Sequence, residues 1–363
     1  MQIVIMHQTI TNHDAIGNDI ECMYKILSKS YPCFCYAQNC FNTQVEYISA
    51  DTLERLLSNK ENLIIYHHSV YWKEGEELLI QCKAQIIFRY HNITPPDFFK
   101  EYNEFHYLQC KKGRAQTLQL QNKFPEAFWL SDSLYNTQDI TQVNPQNIGI
   151  CPPFNKLESW SEVAPDEKIL EKLLLSQSVN LLFVGRIAPN KGHFSLIDTL
   201  YQYCTNFGNN IKLRIIGKFD EGLPGYNQKI FSKIEQYGLQ QSIEFIGEVT
   251  DSTLMSYYLG SDLFICMSEH EGFCVPIVEA QYFGLPVIAA DSSAISETIG
   301  KYQLCLPSNP CLTAAAIRII SQNRKYRDFL RAFGEKNFKN RFSFNKISSQ
   351  FKKILKEEVN IEI

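Results

Sequence analysis

The stretch SDLFICMSEHEGFCVPIVEAQYFGLPVIAAD, residues 261–291, reads as a strand, a loop, a helix and a second strand. SDLFICMS is an apolar run of strand length, and EHEGFC is a polar loop. VPIVEAQYFG has helical character, and LPVIAAD returns as a strand. Pro276 suits the first helical position, where a missing N–H costs nothing, and Gly284 suits the residue after the last turn. Two strands joined by a helix within about 30 residues form a parallel βαβ crossover.

The same alternation extends both ways. VNLLFVGR (179–186), IKLRIIGK (211–218) and SIEFIGEV (242–249) read as strands. GHFSLIDTLYQYC, YNQKIFSKIEQYG and TDSTLMSYYLG between them read as helices, the last with Thr250 or Asp251 as N-cap. Nearer the N-terminus, IVIM (3–6), NLIIYHHS (62–69), AQIIFRYHN (84–92), AFWLSDS (127–133) and NIGICPPF (147–154) are strands. The Pro-rich, polar stretch CPPFNKLESWSEVAPDEK (151–168) reads as a linker, and RFSFNKISSQFKKILKEEV (341–359) as an amphipathic helix. The expected class is α/β, with Rossmann-like domains at 1–155 and 156–340 and a C-terminal helix, 341–363, packing toward the first.

At 363 residues the chain has room for two cores, and its net charge of -4 offers no broad basic surface for nucleic acid. The 12 cysteines are scattered and MQIVIM lacks the basic start of a secretory leader, so buried free thiols in the cytoplasm are expected. CFC at 33–35 and Cys40 lack a completing ligand pair, and HEGFC (270–274) has Cys274 where the zinc-protease motif needs its second histidine. No metal is therefore expected. No apolar run reaches the roughly 18 residues that span a bilayer, which limits membrane contact to the periphery, at the inner face.

Ligands of open parallel sheets bind beyond the carboxyl ends of the strands. After the 261–268 strand stand Glu271 and, within the helix, Glu279. Either carboxylate can accept two hydroxyls of a vicinal diol, and the N–H groups of Gly272, Phe273 and Cys274 at the helix mouth suit ligand oxygens. The plainer alternative is two partners of the helix dipole. FVGRIAPNKG (183–192) follows another strand and offers Gly185, Arg186 and Lys191. Two cations there can stabilise a departing diphosphate, a task often given to a metal on Asp-x-Asp, which this chain lacks. The alternative is a solvated surface pair. Gly217 in IIGKFDEG, and Ser292, Ser293 and Glu297 in AADSSAISETIG, mark further strand ends.

In the first half, HQTITNHDAIGNDIECM (7–23) places Asp14, Gly17 and Asn18 in a strand-to-helix loop without the G-x-G-x-x-G spacing of dinucleotide enzymes. His67 and His68, His91 and Asn92, and Asp132 each lie at strand ends. The basic stretch 108–124, with Lys111, Lys112, Arg114 and Lys123, reads as a solvated helix face or as contact for an anionic acceptor.

Taken together, FVGRIAPNKG, LRIIGKFDEG, IEFIGEV, the 261–291 unit and SETIG resemble the donor half of group 1 glycosyltransferases, family 4 of the retaining GT-B enzymes, over residues 178–310. The resemblance implies two Rossmann-like domains facing a central cleft, the C-terminal helix crossing back to the first. It implies that Arg186 and Lys191 grip the donor diphosphate, Glu271 lies near the transferred sugar and Glu279 holds the ribose. The amides of Phe273 and Cys274 would face the sugar, with Gly272, Gly185 and Gly217 lining the donor. Asp14, Gly17 and Asn18 would border donor and acceptor, and His91 would contact the sugar. Asn92, Arg114 and Asp132 are the remaining acceptor-side candidates. The implied donor is a UDP- or GDP-hexose, the acceptor a glycan or lipid-linked saccharide, and no cofactor is needed. Ser292–Ser293 departs from an often glycine-rich pair. A nucleotide-sugar epimerase of the same fold and a non-catalytic sugar-nucleotide-binding subunit are the alternatives.

Overall fold

The computed structural model describes residues 1–12 and 14–363. Two compact units emerge: unit 1 is 1–96, 105–156 and 342–363, and unit 2 is 97–104 and 157–341.

Unit 1 is built on six strands: β1 (Ile3–Ile10), β2 (Cys33–Cys40), β3 (Leu63–His68), β4 (Gln85–Tyr90), β5 (Phe128–Ser131) and β6 (Ile148–Ile150). They lie parallel in the order β2-β1-β3-β4-β5-β6. Side chains alternate across the sheet, so β1 sends Ile3 and Ile5 into one core and Val4 and Met6 into the other. The first core also takes Ile347, Phe351 and Leu355, one apolar stripe of the C-terminal helix Phe344–Glu358. Gln350 Nε2 fastens that helix to the Ile150 carbonyl at 2.7 Å.

Unit 2 repeats the plan with β7 (Val179–Val184), β8 (Ile211–Ile216), β9 (Ile243–Gly247), β10 (Leu263–Cys266), β11 (Val287–Ala290) and β12 (Leu304–Leu306). These are parallel in the order β12-β11-β10-β7-β8-β9. The chain starts in the middle at β7, winds out to β9, then crosses to β10 on the other side. That is the doubly wound Rossmann order, and its switch point lies between β7 and β10. In unit 1 the switch falls between β1 and β3.

The sequence reading leaves out β2, whose second half is solvent-exposed, β12, which has three residues, and the helices Pro310–Gln322 and Arg324–Asn337. The helix of the 261–291 unit runs Val275–Tyr282, so Pro276 is its second residue and not its first. No helix among the described residues is long and apolar enough to cross a membrane.

Candidate active site

At the switch point of unit 2, the loops after β7 and β10 touch. Gly192, at φ 68°, is why they can: a Cβ there would stand 1.8 Å from the Met267 carbonyl oxygen. Gly217 has a similar reason, since its Cβ would meet the Gly185 carbonyl oxygen at 2.1 Å. Asn190 ties the loops together. Its carbonyl accepts from the Glu269 and His270 amides at 2.9 and 3.2 Å. Its side-chain amide donates to the His270 carbonyl at 3.1 Å.

The far side of the β10 loop is braced by the two serines. Ser292 Oγ donates to the Ser268 carbonyl at 2.6 Å, and Ser293 Oγ accepts from the Glu271 amide at 2.8 Å. Thr298 Oγ1 donates to the Phe273 carbonyl at 2.6 Å. Cys274 enters the following helix with φ 75°, a left-handed conformation uncommon outside glycine.

Held this way, Lys191 and Glu271 meet. The Lys191 ammonium donates to both carboxylate oxygens, at 2.7 and 2.8 Å. Burial alone would lower the Lys191 pKa. Glu271 more than offsets it, so the group lies above the ordinary lysine range and stays charged. Both side chains remain partly open to solvent. Arg186 does not join them: it is exposed and lies 3.4 Å from Asp220. Glu279 sits one turn into its helix, where Tyr258 donates to Oε2 at 2.6 Å. Burial pushes the Glu279 pKa up to about 7, against the opposing pull of that hydrogen bond. Its carboxyl therefore changes charge near neutrality.

Asn190, Tyr258 and Asp220 were not singled out from the sequence. Asn190 sits inside the quoted PNKG and carried a signal, a polar side chain between a loop proline and the lysine. Tyr258 and Asp220 carried none.

Unit 1 brings a different set together. Arg89, fully buried on β4, donates through Nε to Asp19 Oδ2 at 2.8 Å and through one terminal nitrogen to the Cys151 carbonyl at 2.7 Å. Its other terminal nitrogen lies 2.8 Å from Asp132 Oδ1. Asp19 also accepts from the Phe154 amide at 2.7 Å. His91 Nδ1 is 2.8 Å from Asp132 Oδ2, and His91 Nε2 is 2.8 Å from His67 Nδ1. Both ring nitrogens of His91 are thus engaged within the unit. Burial, with His91, His7 and Arg89 nearby, holds His67 well below the ordinary histidine range. A neutral His67 that donates from Nδ1 leaves a bare Nε2, and that atom is buried without a hydrogen-bond partner.

The remaining candidates have local roles. Asp14 caps the helix Ala15–Leu27 by accepting from the Gly17 amide at 2.6 Å, and also accepts from Thr11 Oγ1 at 2.6 Å. A Cβ on Gly17 would meet the Thr11 carbonyl oxygen at 2.0 Å. The side-chain oxygen of Asn18 is buried and unpartnered. Asn92, at φ 71°, donates to Asn136 Oδ1 at 3.0 Å. Arg114 is held by Asp139 at 2.7 Å and the Ile93 carbonyl at 2.9 Å. His68 Nε2 lies 2.9 Å from Thr117 Oγ1. Lys123 pairs with Glu76.

Residues 166–337 match the family model of glycosyl transferases group 1. The chain is 23% identical over 303 residues to a capsular polysaccharide biosynthesis glycosyltransferase, CapH, of Staphylococcus aureus, covering 82% of this chain and 78% of that one. Among solved structures, HepE of Anabaena in complex with UDP and glucose superposes with a TM-score of 0.77 at 15% identity, over 98% of this chain and 100% of the other. A sucrose-phosphate synthase from Thermosynechococcus elongatus does so with a TM-score of 0.75 at 16% identity, over 99% and 100%. The fold is that of these two-domain GT-B proteins.

Proposed function

Residues 166–337 belong to the glycosyl transferases group 1 family and the chain is a glycosyltransferase; from this we propose that it transfers a hexose from a nucleoside-diphosphate sugar to a hydroxyl of a glycan or lipid-linked saccharide. Transfer retains the configuration at the anomeric carbon and uses no metal. The observation that carries this reading is the Lys191–Glu271 pair, two oxygens on one ammonium, at the switch point of unit 2. The UDP bound to HepE and the capsular role of CapH favour a UDP-hexose and a saccharide acceptor.

As the donor enters, the Lys191 ammonium takes the diphosphate and Glu271 turns to the hydroxyls of the sugar. Arg186, exposed on the same loop, adds a second positive charge. The bond between the anomeric carbon and the phosphate oxygen breaks as the new bond to the acceptor oxygen forms on the same face. The departing phosphate takes the acceptor's proton, so no side-chain base is required. Charge on the leaving group grows most at the transition state, where preorganised cations act most strongly. Glu279, ionised above about pH 7, accepts the two ribose hydroxyls.

The test is product analysis with UDP-hexoses and a panel of saccharides. An α-linked donor should give an α-linked product by NMR, with chelator present. A new sugar nucleotide formed from donor alone would point instead to an epimerase. Donor binding without turnover on any acceptor would point to a binding subunit.

A further inference from the structure

Cys266 ends β10 and Cys274 opens the next helix, and both are buried. Their sulfurs lie 3.7 Å apart. One sulfur of each and a carboxylate oxygen of Glu271 all fall within 4.8 Å of one another. Two thiolates on one tetrahedral Zn²⁺, with bonds of about 2.3 Å, stand roughly 3.8 Å apart. A disulfide would require the sulfurs to close to about 2.05 Å. The thiols share a hydrogen bond at this distance, and the same spacing suits two ligands on one ion.

Three further features fit. Cys274 adopts φ 75°, where a glycine would sit without strain, and its sulfur lies beside that of Cys266. Two thiolates and one carboxylate carry three negative charges. A divalent cation and the adjacent Lys191 ammonium neutralise them. The Lys191 and Glu271 side chains keep 22% and 11% of their surface open, so an ion has an entrance on their side.

We propose that Cys266, Cys274 and Glu271 form a binding site for one thiophilic divalent cation, Zn²⁺, and that filling it excludes the nucleoside-diphosphate donor. Binding displaces the two thiol protons to solvent and moves Glu271 from Lys191 to the ion, leaving a fourth position for water. The ion is an inhibitor here and not a cofactor. The exclusion rests on the donor reading above. The metal site itself does not.

The experiment titrates Zn²⁺ alone into the reduced, metal-free full-length chain against a chromophoric chelator. One equivalent should bind. Cys266→Ser and Cys274→Ser should each weaken it by at least about a hundredfold, since loss of even an outer partner of a metal ligand costs roughly 10–100-fold. Cys40→Ser and Cys311→Ser, at the two exposed cysteines, should leave it unchanged. Co²⁺ in place of Zn²⁺ should give a thiolate-to-metal charge-transfer band with the wild-type protein, a readout independent of how the variants fold. No stoichiometric binding, equal binding by the Cys266 and Cys274 variants, or a Co²⁺ complex without that band would overturn the site. UDP binding should weaken when Zn²⁺ is present with wild type and not with Cys266→Ser. Simultaneous binding overturns the exclusion. Failure of UDP to bind the metal-free chain counts against the donor reading and leaves the Zn²⁺ result standing on its own.

Discussion

In unit 2, Lys191 and Glu271 face each other at the sheet's switch point with 22% and 11% of their side chains open to solvent. In unit 1, Asp19, Arg89 and His67 gather beside the corresponding switch point with side chains at 0%. Both units are parallel six-stranded sheets; Lys191 and Glu271 stand on the loops after β7 and β10, and Arg89 and His67 stand within β4 and β3. The difference lies in what satisfies the charge. Arg89 meets two carboxylates and a carbonyl within its own unit, whereas Lys191 has one carboxylate that a ligand can replace. A switch point therefore supplies a place for a ligand, and the local partners decide whether the fold itself fills it.

The sharpest way to break the comparison is Asp19→Ala. It leaves Arg89 buried with half its charge partners, and should destabilise the chain by about 3–5 kcal/mol in urea unfolding. A change below about 1 kcal/mol, the scale of a surface pair, would mean that the unit 1 network is not structural. Lys191→Ala should behave in the opposite way. Stability should fall by less than in Asp19→Ala, because the Lys191 and Glu271 side chains keep 22% and 11% of their surface open to solvent. Turnover at saturating donor should fall at least about a hundredfold, the roughly 2.7–4 kcal/mol attached to a lost transition-state contact. Unchanged turnover would remove Lys191 from the site.

Gly192→Ala probes the loop that presents the lysine. With φ 68° and a Cβ 1.8 Å from the Met267 carbonyl, the β7 and β10 loops must part. A loss of about 1–3 kcal/mol in stability is expected, with a larger drop in turnover than in Tm would suggest. The smallest effect concerns Glu279. Its pKa is raised to about 7, so it is neutral below that pH and anionic above it. Donor affinity should rise as pH climbs through 7, by about tenfold or less, the worth of one charged contact of roughly 1.4 kcal/mol. Glu279→Gln should flatten the profile. An affinity that falls with rising pH in the wild type would contradict the ribose role.

Much of this was legible in the residues. The strand–loop–helix–strand reading of 261–291 located β10, its helix and β11, because their apolar runs and Pro/Gly punctuation are local signals. Lys191 and Glu271 could be marked as strand-end groups, yet their contact, 80 residues apart in sequence, could not. β12 stayed hidden because three residues carry too little periodicity. Arg89 inside IIFRY was a charge within an apolar strand run, yet nothing in the sequence pointed to Asp19, 70 residues away, as its partner. Tyr258 lies on the preceding helix, and nothing near it in sequence points to Glu279, 21 residues on. Arg186 was grouped with Lys191 because both stand on the loop after one strand, and no local signal indicated that its exposed side chain would lie 3.4 Å from Asp220.

The central claim is that the switch point of unit 2 binds a nucleoside-diphosphate sugar through Lys191. Thermal unfolding of the wild-type chain and of Lys191→Ala, with UDP, GDP and their hexose esters, tests it most directly. One nucleotide series should stabilise the wild type, by roughly 2.7 kcal/mol at a hundred times its dissociation constant, and most of that gain should vanish in the variant. No stabilisation by any of these ligands, or an equal shift in both proteins, would contradict the account.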